Sequence, residues 1–284
     1  MKQFNRQYRF AAGRAGGRGF EIGATSPSCP EALHISFSIE KADTETPNTA
    51  KVSLWNLNPE HLAILNEKDC IITLKAGYGE TMPLLFVGAV TFTSTSLDGA
   101  DRETAIEAAD GLVALRDSYV SLSYSGKVSN KGVIENIAKE MGVTLTFSYN
   151  AKFTELTNGF SYVGPAKTAL DKVCAPSGLQ WQIYNGILQV KQKNDTMTRE
   201  VYVLSPDSGL IGIPKKISFS QDSKGDKPQS GLEVEYLMNG AIGIGDYIRL
   251  ESKAAKGYFR VRSVEMEGDN LEGNWMCTAR LIAV

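Results

Sequence analysis

Two hydrophobic periods alternate along this chain, and where they change marks its organisation. In the first 115 or so positions apolar residues recur every second residue. Leu33, Ile35, Phe37 and Ile39 interleave with His34, Ser36, Ser38 and Glu40, and Cys70, Ile72, Leu74 and Ala76 repeat the pattern. A period of two describes half-buried strands. Tyr8–Ala12 and Gly19–Gly23 flank a glycine-rich loop, Val52 and Leu54 continue the style, and Leu84–Thr95 is a long β-rich run. Asp98-Gly99 reads as a hairpin turn with Thr104–Ala109 returning. Asn58 before Pro59 predicts a short capped helix ending near Asn66.

After Ser118 the period lengthens. Val133, Ile134, Ile137, Ala138 and Met141 fall at helical spacing, with Asn130 ahead of them and Gly142 as a stop. Val143–Phe147 is a strand. Pro165 opens a second helix with Ala169, Leu170, Val173 and Cys174 on its apolar face, closed by Pro176 and Gly178. Trp181–Tyr184 and Ile187–Val190 flank Asn185-Gly186, a strong hairpin signal. A helix-then-strand unit is thus used twice, without sequence identity between its copies. From Thr198 the period of two returns in short strands separated by Asn239-Gly240, Gly245-Asp246, Lys256-Gly257 and Gly268-Asp269. The expected plan is mainly β with a small α/β insertion. Two tube-type β-barrel domains, residues 1–117 and 195–284, flank an α/β module at 118–194.

Composition narrows the function. The 284 residues suffice for two or three domains, with 42% hydrophobic and 22% charged positions. Thirty basic residues nearly cancel thirty-two acidic ones, so no nucleic-acid or anionic-membrane partner is indicated. The N-terminus lacks the apolar core of a signal peptide, and no run of residues is long and apolar enough to span a membrane. Cys29, Cys70, Cys174 and Cys277 are far apart and read as buried small hydrophobes.

The sequence offers little chemistry. His34 and His61 are the only histidines, each without a ligand-spaced neighbour, and read as surface residues. No nucleophile elbow or phosphate loop is present. The Gly13–Gly19 segment imitates a phosphate cradle, and with Arg14 and Arg18 an RGG segment, but Phe20-Glu21-Ile22 after it read as a strand, which makes it a hairpin tip. The carboxylate pairs Glu135/Glu140 and Glu265/Glu267 lie on solvated faces, where adjacent charges solubilise a surface. Asp222–Gln229 reads as an exposed loop. No catalytic, cofactor-binding or metal-ligating residue is assigned, and no cofactor is expected.

A family resemblance adds what these patterns lack. The segment Gly245–Ala283 contains G-D-Y-I-R-L and then G-Y-F-R-V-R-S-V-E-M-E-G-D-N-L-E-G-N-W. It resembles the last domain of the baseplate hub proteins of contractile-tailed phages, the Mu-like hubs included. Asn48–Leu57, Leu74–Tyr78 with Phe86-Val87-Gly88, Gly178–Val190 and Gly209–Pro214 resemble further segments of that family in the same order. Glu267 stands where the family often has a histidine before the final Gly-Asp, so no metal or catalytic role is read there. The resemblance implies a non-enzymatic structural protein of the virion's tail baseplate, assembled in the host cytoplasm. It implies a homotrimer whose six similar barrels match a sixfold tail tube on one side and a threefold central spike on the other. Implied partners are the tail tube protein, the spike protein, other baseplate proteins and the tape measure protein. The competing expectations are a tail-associated peptidoglycan hydrolase and another tail-tip adaptor protein.

Overall fold

The computed structural model describes residues 5–23, 32–43, 46–193, 195–219 and 229–284. The chain forms two compact units, one built from 1–109 with 200–284 and the other from 110–199. In the first segment the strands are β1 (Arg6–Gly13), β2 (Gly19–Gly23), β3 (Ile35–Ala42), β4 (Thr49–Trp55), β5 (Ile71–Tyr78), β6 (Leu84–Asp98) and β7 (Asp101–Ala109). Helix α1 (Pro59–Leu65) sits between β4 and β5, with the Asn58 carboxamide oxygen accepting from the His61 amide and Pro59 in its first turn.

The second unit holds α2 (Leu112–Asp117), β8 (Tyr119–Tyr124), β9 (Val128–Ser129), α3 (Asn130–Met141), β10 (Thr144–Phe147), β11 (Glu155–Leu156), β12 (Phe160–Pro165), α4 (Ala166–Cys174), β13 (Leu179–Tyr184) and β14 (Ile187–Gln192). The helix-then-strand unit occurs as α3–β10 and α4–β13. Both helices turn their apolar stripes onto one core with Val120, Leu122, Leu188 and Val190. Ser129 caps α3 through its hydroxyl, one residue before the position the sequence suggests. Asn130 is buried instead, its side chain bonded to the Thr154 amide and the Ser177 hydroxyl. Gly142 ends α3 at φ 66°, a conformation natural to glycine.

The last segment supplies β15 (Val201–Leu204), β16 (Leu210–Phe219), β17 (Gln229–Leu237), β18 (Tyr247–Glu251), β19 (Lys256–Asp269) and β20 (Trp275–Ala283). The finer expectation of two separate barrels is not shown by the strand pairing. The first and last segments share one 13-stranded sheet in the order β16-β17-β20-β19-β3-β4-β7-β6-β5-β1-β2, with β15 and β18 branching from β19. No closed barrel is found among the described residues. One antiparallel pairing, β3 with β19, joins the two segments, aligning Ser36 to Asp269 and Ala42 to Ser263. This pairing spans more than two hundred residues of chain, so nothing in the local period of either strand announces it. The mainly β class stands. Residues 222–228 of the expected polar loop lie outside the described residues, and Gln229 already opens β17.

Within the joined sheet, alternate residues of the two segments meet in a single core. Ile35, Phe37 and Ile39 of β3 lie with Val52 and Leu54 of β4, Val264 and Met266 of β19, and Cys277, Ala279 and Leu281 of β20. The opposite face of the same strands is polar, as an antiparallel sheet covered on one side allows.

Candidate assembly surface

The seam between β3 and β19 is held by more than its ladder. Phe37 sits opposite Gly268, its ring lying where a glycine side chain would be, and packs edge-on against Trp275 at 5.5 Å. The buried Trp275 indole donates to the Gly77 carbonyl at 3.1 Å, and the Tyr78 hydroxyl donates to the Trp275 carbonyl at 3.1 Å. The Asn270 carboxamide oxygen accepts from the Ile35 amide at 2.8 Å, and its NH2 donates to the Leu33 carbonyl at 3.1 Å. Arg6 donates to the carbonyls of Asp269 at 2.6 Å and Gly273 at 3.0 Å. At the other end the Arg260 guanidinium meets the Asp43 carboxylate at 2.9 Å, both largely shielded from water. The Gly-Asp…Gly-Asn-Trp run that carries the family resemblance is therefore the clamp joining the first and last segments.

Asp269 is the hub of that clamp. Its carboxylate accepts from the amides of Leu271 and Glu272, each at 2.9 Å, and approaches His34 Nε2 at 3.0 Å. Burial pushes its pKa up, but the Glu272 amide, His34 and the Leu271 amide outweigh it and hold the carboxyl below its ordinary value. The other face of His34 stacks on Trp55 at 3.8 Å. The sequence reads His34 as a surface residue; the structure makes it a half-buried strut. His61 likewise stacks on Phe20, at 4.1 Å, and burial lowers its pKa against the opposing charge of Glu60.

The face of β17, β20, β19, β3, β4 and β7 turned away from the core is mainly polar, with Leu237, Met276 and Trp55 among its partly exposed residues. Ser36, Ser38 and Ser53 line a shallow groove with Lys51, Glu267 and Asn274. Carboxylates dominate beyond it. Glu265 lies directly opposite Glu40. Its carboxyl is raised above the usual range, first by desolvation and then by Glu267 and Glu40, with Arg280 opposing. Ion pairs offset part of this charge: Lys51–Glu107 at 3.8 Å, Arg280–Glu233 at 3.2 Å and Lys215–Glu235 at 2.8 Å. All three are surface pairs, so each contributes little stability on its own.

The residues weighed for chemistry do not converge. Glu135 and Glu140 are exposed on α3, Glu135 reaching Lys131 one turn away at 3.8 Å. Glu267 accepts from the Asn274 side chain at 2.8 Å. Gly13–Gly19 is the turn of the β1–β2 hairpin: the Gly17 amide donates to the Arg14 carbonyl at 2.9 Å, and no helix follows. Arg18 is exposed, 3.8 Å from Glu67. Cys70, Cys174 and Cys277 are buried free thiols, and Cys29 lies outside the described residues. Burial pushes the thiols of Cys174 and Cys277 up to about 12, consistent with inert hydrophobes. Among the described residues no group of three or more His, Cys, Asp or Glu is placed to hold a metal ion, and no helix is long and apolar enough to cross a membrane.

What the structure offers instead is sheet surface and sheet edges. Strand β16 ends the sheet on one side, and its edge carries Pro214, Lys215 and Lys216 beside an irregularity between Ile211 and Lys215. Those are the usual devices that stop an edge from pairing. Strand β15 is four residues long, and the Ser208 hydroxyl occupies its Val203 carbonyl at 2.8 Å.

The model of the baseplate hub gp41 family matches residues 19–258. No curated protein matches the sequence. Among solved structures, the fold is similar to the 43 kDa tail protein of prophage MuSo2 from Shewanella oneidensis. That match has a TM-score of 0.64 at 10% identity over 98% of this chain and 97% of that one. The tail protein from Neisseria meningitidis MC58 is similar at a TM-score of 0.60 and 9% identity, over 97% and 96% of the two chains. The E. coli c3393 protein is a type VI secretion component with structural similarity to the T4 tail proteins gp27 and gp5. It is similar at a TM-score of 0.60 and 9% identity, over 91% and 76%.

Proposed function

The chain belongs to the baseplate hub gp41 family, a structural component of the phage tail baseplate, and from that premise we propose that it acts as a homotrimeric hub without enzymatic activity. In this reading it adapts the sixfold tail tube to a threefold central spike. The observation that carries the reading is the single seam between β3 and β19. It fixes two strand-rich segments side by side in one sheet with one core. Three such chains bring six strand-rich segments into a ring, one for each tube subunit, while the ring itself keeps threefold symmetry toward a spike. The energy of such assembly comes from buried area and edge pairing between subunits. The tube, spike, tape measure and other baseplate proteins are the partners this role requires.

The test is the stoichiometry of the protein in intact tails and in solution. Native mass spectrometry of purified protein at high concentration, with imaging of labelled tails, should give three copies around the tail axis. One copy per tail, or a monomer at every concentration, overturns the trimeric reading. Clearing of cell walls by the purified protein, abolished by a single carboxylate substitution, overturns the non-enzymatic one.

A further inference from the structure

Among the described residues the sheet has guarded edges at β16 and β15 and unguarded ones at β6 and β2. Strand β6 is fifteen residues long, but β5 accompanies it only as far as Ala89, opposite Ile71. The Cys70 carbonyl then takes the Val90 amide, and the Asn66 side chain takes the Thr93 hydroxyl. Beyond Thr93 the outer edge of β6, Ser94–Asp98, has no strand partner among the described residues. It carries no proline and no charge before Asp98, and Leu97 is 77% exposed. Strand β2 ends the sheet on the far side from β16, and its outer edge has no strand partner among the described residues either. Unguarded edges of this kind are templates for another strand.

The two open edges are complementary in charge and in side chains. The β6–β7 tip is net acidic, Asp98, Asp101 and Glu103 outnumbering Arg102: Asp98 is held by the Trp55 indole at 3.2 Å and Asp101 by the Asn56 side chain at 2.9 Å. The β1–β2 tip is basic through Arg14 and Arg18, the latter side chain 82% exposed. An antiparallel pairing that sets Asp98 against Gly19, next to Arg18, brings acid to base. In the same register Leu97 lies opposite Phe20 and Thr95 opposite Ile22 on one face, with Ser96 opposite Glu21 on the other.

We propose that neighbouring copies of this chain join by antiparallel pairing of the β6 edge of one with the β2 edge of the next. The proposal rests on the homo-oligomeric reading above and names the surface that makes it. The two edges differ, so the contact is heterologous, and repeating it generates a ring when the rotation closes. Five residue pairs are too few to hold subunits alone; the pairing sets the register of a larger contact.

The test combines a cross-link with a charge exchange in the full-length protein. Oxidation of the double variant Glu21→Cys with Ser96→Cys should give covalent multimers closing at the ring size, absent from either single variant. Asp98→Lys and Arg18→Asp should each raise the concentration needed for assembly about tenfold or more, and the two together should restore it. A wild-type ring with no cross-link and no effect of either reversal overturns the edge pairing and leaves the hub reading standing. Cross-linking of Ser96→Cys only to a different tail protein also overturns it. A chain that is monomeric both alone and in tails overturns this inference together with the trimer.

Discussion

Gly268 lies directly opposite Phe37 across the β3–β19 pair that joins the first and last segments of the chain, and the Phe37 ring occupies the space a side chain would need there. Phe37 is buried and braced by Trp275, so it has nowhere to retreat. Gly268→Ala should therefore overpack the seam and cost about 1–3 kcal/mol. Urea denaturation of the purified protein would show this as a lowered midpoint. An unchanged midpoint would mean that the ring swings away freely, and that the seam is looser than its contacts suggest.

The polar face carries a built-in penalty at neutral pH. Glu265 faces Glu40, and its carboxyl titrates above the ordinary range because of desolvation and its acidic neighbours. A carboxyl raised in the folded state favours folding when protonated, and that contribution is lost as pH rises through its folded pKa. Glu265→Gln should stabilise the protein at pH 7 by up to about 0.5 kcal/mol, a small gain because solvent screens the exposed group. The gain should vanish toward pH 4, where Glu265 itself is protonated. Thermal melts of the two proteins at both pH values check it; a gain that persists at pH 4 would point to a cause other than charge.

How far these features could be read from the sequence depends on how local their causes are. The α1 cap at Asn58 and the Asn185-Gly186 turn each rest on a few adjacent residues and are found as read, while the hairpin signalled by Asp98-Gly99 turns one residue later, at Gly99-Ala100 between the paired Asp98 and Asp101. The Gly268-Asp269 and Gly273-Asn274-Trp275 motif was visible as a family mark, but its work was not. Gly268 answers to Phe37, Asp269 to His34 and Trp275 to Gly77, all distant in sequence. The same distance hid the β3–β19 pairing that joins the first and last segments in one sheet. His34 and His61 read as surface residues because a stacking partner leaves no trace in spacing.

Asp269 gives the opposite pH sign to Glu265. Its carboxyl is held below the ordinary value, so its stabilisation is present above the unfolded pKa and is lost as pH falls through the folded one. Asp269→Asn keeps one acceptor for the Leu271 and Glu272 amides but loses the charge that strengthens them and the pair with His34. A cost of roughly 1–2 kcal/mol is expected at pH 7, shrinking as pH falls below the ordinary carboxylate range and through the lowered folded pKa. Parallel denaturation curves from pH 7 to pH 3 provide the measurement. A difference that stays constant across that range would assign the loss to shape and not to charge.

The second unit has its own distant tie. Asp110, 1% exposed, accepts from the Asn185 amide at 2.5 Å and from the Gly186 amide at 3.0 Å, gripping the turn between β13 and β14. The turn itself suits its residues, since Asn185 and Gly186 take positive φ of 51° and 78°. Its amides, however, point into a buried site, where unpaired donors are costly. Asp110→Asn puts an NH2 against one of them, leaving two donors face to face. The expected loss is about 1.5–3 kcal/mol, the range for a hydrogen bond to a buried charge. Because the effect acts on one hairpin, hydrogen exchange should rise first at residues 179–192 while the β3–β19 seam stays protected. Equal loss of protection in both places would show that the two units unfold as one, and would make Asp110 a support of the whole chain instead of a local clasp.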